Sequence, residues 1–434
     1  METTAPKYDG EIQIAVGKNR TDTHWKNRIW TWRDFVRRLS ETQRTEETAA
    51  EYVKMPRSVQ AEKKDVGGFV AGYVEGGRRK AGNILSRSMV TLDMDYATRD
   101  AWETVTLMFG CAVVCYSTHS HRPESPRLRF VIPTSREMDP TEYEAVARSV
   151  AGTIGIELFD DTTYQAERLM YWPSTPKDGE YFFRFQDGPW LDVDEVLSGY
   201  RNWKDASEWP VSSRVSVAVK REMKKQGDPL EKGGLVGAFC RTYDIHQVIA
   251  AYLSDEYTQC DNMPDRYTYL KGSTAAGLVV YEDRFAYSHH STDPTCGKLC
   301  NAFDLVRLHL YGDMDEGWTG SDVTKSPSYR AVCDRITQDR MVAGTIAREK
   351  AAEAAEDFAG IGEDTSWMED MDITKKGQFE NTPRNYELVL QHDAQLAGKI
   401  AVDEFSGRVC VRGSRIEYHT ARLSVYASVH FNKV

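Results

Sequence analysis

The sequence predicts an α+β fold in which short strands alternate with amphipathic helices, and three stretches carry that prediction. SMVTLDMDY, residues 88–96, sets Val90, Leu92 and Met94 in alternation with Thr91, Asp93 and Asp95, the two-residue period of a strand. RLRFVIP repeats that period, with Leu128, Phe130 and Ile132 on one side and Arg127 and Arg129 on the other. After Asp139 the period lengthens to that of a helix. Asp139 suits the N-cap, Pro140 the first helical position and Glu142 the third place of a capping box, while Tyr143, Val146, Ala147, Val150 and Ile154 form the stripe to be buried.

The other elements follow in chain order. EIQIAV reads as a strand and TWRDFVRRLS as a helix whose Trp32, Phe35, Val36 and Leu39 share a face. From Gly67 the text turns to GGFVAGYVEGGRRKAGNILSR. GGRRK there is a polar hairpin turn, or else Arg78, Arg79, Lys80 and Arg87 offer charge to phosphates. Residues 98–109 read as a helix and CAVVCYSTHSH as a further strand. Residues 195–226 form a locally basic connector, either solvated or touching a template strand, and two helices follow on either side of Asp244.

Composition narrows the function classes. A chain of 434 residues holds two or three domains. No apolar run approaches the ~18 residues of a membrane span and no signal-peptide core opens the chain, so a cytoplasmic protein with no membrane partner is expected. Eight scattered cysteines fit a reduced compartment. The net charge of −11 argues against nucleic acid, but residues 346–380 carry ten acidic and four basic side chains and supply much of it. No GxxxxGK[ST] loop occurs, which excludes a P-loop ATPase.

The chemistry concentrates around the first of these strands. Carboxylates two residues apart on a strand lie roughly 6 to 7 Å from each other, a spacing suited to one or two shared divalent cations. Without a cation they repel, and one resists ionisation. If the strand after Cys111 persists, Ser117, His119 and His121 face one side, and beside Arg127 and Arg129 they outline a phosphate-binding surface. Asp160 and Asp161 end another apolar stretch, and either supplies a third carboxylate according to where that stretch stops. Arg168 opens the next strand.

Asp-x-Asp on a strand, then Ser117-Thr118-His119, then Phe159-Asp160, then RLMYWPS resembles the archaeo-eukaryotic primase, or primase-polymerase, superfamily over about residues 8–205. The type it is most similar to is found in phages and mobile elements ahead of virulence-associated protein E (VapE) helicases. That resemblance implies an antiparallel, RRM-like catalytic sheet and template-directed nucleotidyl transfer, as a DNA primase or DNA polymerase. It implies two Mg²⁺ or Mn²⁺ ions held by Asp93, Asp95 and Asp160, with Asp161 as the alternative third ligand, and catalytic roles for the three carboxylates and His119. Ser117, His119, His121, Arg127, Arg129 and Arg168 would bind the nucleotide. The implied partners are single-stranded DNA template, ribo- or deoxynucleoside triphosphates and a replicative helicase.

Four segments are expected: a catalytic domain over 1–205, a small helical accessory domain over 206–343, an acidic linker over 344–380, and the truncated start of a helicase-type domain over 381–434. Within the accessory domain, His289, His290, Cys296 and Cys300 resemble a degenerate zinc ribbon; no CxxC pair occurs, so zinc is not expected. Two other functions compete. A rolling-circle nickase would use His119 and His121 with Tyr143 or Tyr164 as nucleophile, and a replication-origin DNA-binding module would need no catalysis.

Overall fold

Val90, Leu92 and Met94 lie buried along an eleven-residue strand, Ile84–Met94, around which the N-terminal part of the protein is built. The computed structural model describes residues 6–290, 292–357, 366–375, 377–392, 400–403, 408–411 and 414–415. The chain divides into two compact units, one of Met1–Arg221, Thr258–Val279 and Ser288–Cys296, the other of Glu222–Tyr257, Val280–Tyr287 and Gly297–Val434.

The first unit begins with β1 (Glu11–Gly17), β2 (Lys26–Thr31), α1 (Trp32–Ser40), β3 (Gln43–Arg44), α2 (Ala49–Lys54) and α3 (Arg57–Lys63). There follow β4 (Gly68–Val70), β5 (Gly72–Val74), β6 (Ile84–Met94), α4 (Ala101–Met108), β7 (Val113–Ser117), β8 (Leu128–Met138) and α5 (Pro140–Ile154). Three short strands, β9 (Met170–Tyr171), β10 (Ser174–Thr175) and β11 (Phe183–Gln186), come after α5. The main sheet is antiparallel throughout, in the order β11-β7-β8-β6-β5. Since β6 and β7 both run against β8, they are parallel to each other, and α4 makes the crossover between them. A second antiparallel sheet has the order β2-β1-β4-β9.

Both faces of the main sheet are covered, whereas the alternation on β6 suggested one apolar face and one polar. Val90, Leu92, Met94, Leu128, Phe130 and Ile132 join a core with Val105 of α4 and Tyr143, Val146 and Val150 of α5. On the other side Met89, Val114, Tyr116 and Val131 meet Ile12 and Ile14 of β1 and Trp32, Phe35, Val36 and Leu39 of α1. Each such large apolar side chain contributes about 1.5–3 kcal/mol on burial, and Phe35 adds an edge-on contact with Phe69 at 5.0 Å. The cap on α5 forms as its sequence predicts: the Asp139 carboxylate accepts from the amides of Thr141 and Glu142, and Glu142 accepts from the Asp139 amide.

Two details of the glycine- and arginine-rich stretch matter, and the first corrects its reading. Arg87 offers nothing to phosphates, because it is fully buried, donates to the Ala71 and Ala166 carbonyls and to Thr91 Oγ1, and lies 3.7 Å over the Tyr143 ring. Gly67 is needed for the turn into β4: its φ is +82°, and a Cβ there would stand 2.8 Å from the Gly17 carbonyl oxygen.

Also in the first unit, His290 is buried with its Nδ1 2.5 Å from Thr274 Oγ1. His289, His290 and Cys296 are not gathered there as a cation site, and Cys300 belongs to the second unit. The second unit is mainly helical, with Gly234–Thr242, Ile245–Tyr252, Ala302–Tyr311, Pro327–Ile336 and Arg340–Asp357, and Phe239 packs edge-on to Phe303 in its core. The last of these helices runs through residues 344–357 of the stretch expected as an acidic linker, while residues 358–365 and 376 of that stretch lie outside the described residues. Of the expected helicase-type start, helix Pro383–His392 and strands Ile400–Asp403, Arg408–Val411 and Ser414–Arg415 are described, and the remainder lies outside.

Candidate active site

At the end of β6 the outer strand edge has no strand beside it, and a short turn closes it instead. The Asp93 amide donates to Thr163 Oγ1 at 2.9 Å, Thr163 Oγ1 donates to the Thr91 carbonyl at 3.2 Å, and the Asp160 amide donates to the Asp93 carbonyl at 2.9 Å. These bonds satisfy backbone groups that burial would otherwise leave unpaired, and they carry Asp160 from 67 residues downstream to the carboxylate pair. Asp160 also caps the 3-10 turn Asp161–Tyr164, its carboxylate accepting from the Thr162 amide and hydroxyl. Asp95 lies one residue beyond the end of β6.

Each of the three carboxylates is held by an arginine. Asp93 meets Arg129, directly opposite it on β8, at 3.2 Å; Asp95 meets Arg127 at 3.1 Å; Asp160 meets Arg168 at 2.6 Å. The first pair is buried, and the Asp93 charge holds the Arg129 guanidinium protonated more firmly than usual, overcoming a burial that acts the other way. Burial first, and the neighbouring Asp93 second, push the Asp95 carboxyl up, with Arg127 opposing. Turned towards their arginines, the three carboxylates do not gather their oxygens within 4.8 Å of one another.

All three carboxylates and arginines line one cavity of about 490 Å³, together with Ser117, His119, Lys64, Arg20, Arg79 and Glu167. Six fixed cations face four carboxylates there, a balance that favours an anionic ligand. Asp161 is not among the lining residues: its oxygens take Ser212 Oγ at 2.5 Å and Arg214 at 3.3 Å. The two histidines also part, because β7 ends at Ser117 and the strand alternation stops before reaching them. His121 Nδ1 accepts from the Arg127 amide, whereas His119 is 5% exposed with Nδ1 2.9 Å from Ser174 Oγ and Nε2 3.0 Å from Glu47 Oε1. Burial holds the His119 pKa below its ordinary value despite Glu47. The Ser117 hydroxyl accepts from the Phe182 amide at 3.0 Å.

Residues 1–212 match the family model of the VapE N-terminal domain. The VapE-type part of the resemblance drawn from the motifs is thus matched over this segment, which contains the whole lining of the cavity. Among solved structures, the AEP domain of the cyanophage S-2L primase-polymerase is similar at 15% identity, over 45% of this chain and 88% of that one, with a TM-score of 0.25. No curated protein matches. Within the VapE-type segment, sequence reasoning missed Glu47, Lys64, Arg20 and Ser174. Glu47 sits in a polar stretch with no signal of its own; for Lys64 there was a hint, a charge placed just before the Gly67-Gly68 turn, and Ser174 closes the RLMYWPS stretch.

Tyr143 and Tyr164, the candidate nucleophiles of a nickase, are 0% and 1% exposed. Tyr143 donates into the backbone of Thr91 and Thr163, and neither hydroxyl is open to a DNA strand. Among the described residues no helix is long and apolar enough to cross a membrane.

Proposed function

We propose that this chain is a template-directed nucleotidyltransferase, a DNA primase or DNA polymerase of phage or mobile-element replication. The observation that supports it best is the meeting of Asp93, Asp95 and Asp160 with Arg127, Arg129 and Arg168 in one basic cavity. Three hard carboxylate ligands suit Mg²⁺ or Mn²⁺, and Asp93 Oδ1 is buried without a hydrogen-bond partner among the described residues, as an oxygen reserved for a cation would be. Asp93, Asp95 and Asp160 would hold two such ions, which when bound lower the pKa of a 3′-hydroxyl and offset charge at the α-phosphate.

The chain's own part is positioning and electrostatics. Arg129 pairs with Asp93 and fixes the direction of its carboxylate against β8, and Arg168 does the same for Asp160. Arg127, on a half-exposed pair, is the arginine most easily released towards a phosphate. Ser117 anchors the end of β7 at the cavity wall. The main sheet, β6-α4-β7-β8-α5 with β8 central, has the strand order expected of an RRM-like core and places the acidic ends of β6 and the Asp160 turn together. In this reading residues 1–205 are the catalytic domain, the helices that follow are an accessory domain, and single-stranded template, nucleoside triphosphate and a VapE-type helicase are the partners.

The test is labelled nucleotide incorporation on single-stranded DNA with Mg²⁺ or Mn²⁺, with and without a primer, comparing wild type with Asp93→Ala/Asp95→Ala. Template-dependent product lost in the double variant supports the reading, and the unprimed lane separates primase from polymerase. DNA binding without incorporation by the wild type would replace it with an origin-binding module.

A further inference from the structure

Resting on the nucleotidyl-transfer reading, we infer that Lys64 is the residue that grips the nucleotide's phosphates, and that His119 acts on it only through a buried Glu47–His119–Ser174 relay. The cations of the cavity are not equally available. Arg129 and Arg168 are committed to carboxylates, and Arg127 reaches a phosphate only by giving up Asp95. Arg79 lies over Trp25 and donates to the backbone carbonyls of Glu167 and Arg20. Lys64 differs: it is half-buried in the wall, and among the described residues no carboxylate lies within 4.0 Å of its Nζ and no acceptor takes its protons; Arg20, the sixth cation, likewise makes no ion pair but is exposed at the rim. Its ammonium has only the face of the Tyr171 ring, at 5.3 Å.

Burial, and Arg129 after it, work against the Lys64 charge. A phosphate oxygen would relieve both, and a compact ammonium with three donors suits it.

His119, by contrast, has no donor to spare. Both ring nitrogens are engaged, and the Tyr52 ring packs against the imidazole at 4.5 Å. The chain of contacts runs on from Ser174, whose Oγ lies 3.4 Å from the Lys64 carbonyl oxygen. At the other end Glu47 Oε2 stands 3.8 Å from the ammonium of Lys63. Ser174, held by the same imidazole that holds Glu47, abuts the Lys64 carbonyl, and Glu47 draws Lys63 towards itself, which leaves the Lys64 side chain to the cavity.

Calorimetric titration of the full chain with inorganic tripolyphosphate, in chelator and without DNA, tests this apart from catalysis. Lys64→Met should weaken binding about tenfold or more, Lys64→Arg should restore most of it, and Glu47→Gln should weaken it by about threefold to tenfold. In incorporation assays Glu47→Gln should raise the nucleotide KM and leave kcat near wild type, a split that general loss of fold would not produce. The inference is overturned if Lys64→Met binds tripolyphosphate as wild type does, or if the wild type does not bind it. It is also overturned if His119→Gln costs more than Lys64→Met while Glu47→Gln costs nothing, since His119 would then touch the phosphates itself. Normal tripolyphosphate binding with no incorporation would instead count against the nucleotidyl-transfer reading and leave the anion site standing.

Discussion

Replacing Asp93 by asparagine should destabilise the first unit by about 3 kcal/mol when no cation is present. Asp93 and Arg129 are 6% and 7% exposed and their nearest atoms are 3.2 Å apart. At an effective dielectric of about 20 their attraction is about 5 kcal/mol, and stranding one member of a buried pair costs about 3–5 kcal/mol. Two effects reduce the loss. Arg129 keeps the Tyr171 carbonyl at 3.3 Å and the faces of Tyr116 and Tyr171, and Asp95 is relieved of a like charge, worth about 1 kcal/mol. For a unit of this size the net value lowers the melting temperature by roughly 6–12 °C. The assay is tryptophan-monitored melting and urea unfolding of the full chain in EDTA, for Asp93→Asn, Arg129→Met and the double variant. Because the double variant strands neither charge, it should be more stable than the sum of the singles predicts by about 2 kcal/mol. Asp93→Asn within about 0.5 kcal/mol of wild type, or an additive cycle, would refute the reasoning.

Asp95→Asn should have the opposite sign. Its carboxyl is raised by burial and by Asp93, so between the ordinary and the raised value the folded protein holds more protons than the unfolded chain, and stability falls as pH climbs through that window. Removing the charge should leave the protein at pH 7 in EDTA as stable as wild type or up to about 1 kcal/mol more so, while incorporation is lost; a marked drop in the urea midpoint would count against this. His290 is pushed down to about 4 by burial, so it folds neutral. Its contribution is complete above the ordinary histidine value of about 6.5 and is lost as pH falls towards 4, a span of about 3 kcal/mol. Urea midpoints from pH 4.5 to 7.5 should therefore fall more gently on acidification for His290→Gln than for wild type, and parallel curves would exclude the effect.

How much of the site was legible depended on how local its signals are. The alternation of β6 and β8, the capping box at Asp139 and the stripe of α1 are set by periods of two to four residues, and each appears in the structure where the sequence places it. The pairing of Asp93 with Arg129 was half visible: both residues were on the right strands, but only the antiparallel register sets them opposite. The strand alternation carried as far as His121 was not legible in the same way, because β7 stops at Ser117 and nothing local in STHSH marks the stop.

The sequence by itself determined β1, β6, β8, α1 and α5 and the residue types of the acidic and basic motifs, since these follow from side-chain periodicity and capping within a few residues. The tertiary structure alone set Asp160 at the cavity and Asp161 away from it, by hydrogen-bonding the Asp160 amide to the Asp93 carbonyl and turning Asp161 to Ser212 and Arg214. It also brought in Glu47 and Lys64 from segments with no motif of their own. The physical reason is the same in each case: a buried strand edge, an imidazole and a carboxylate must be satisfied by whatever polar group the fold brings within reach, and that choice is made by contacts across the chain.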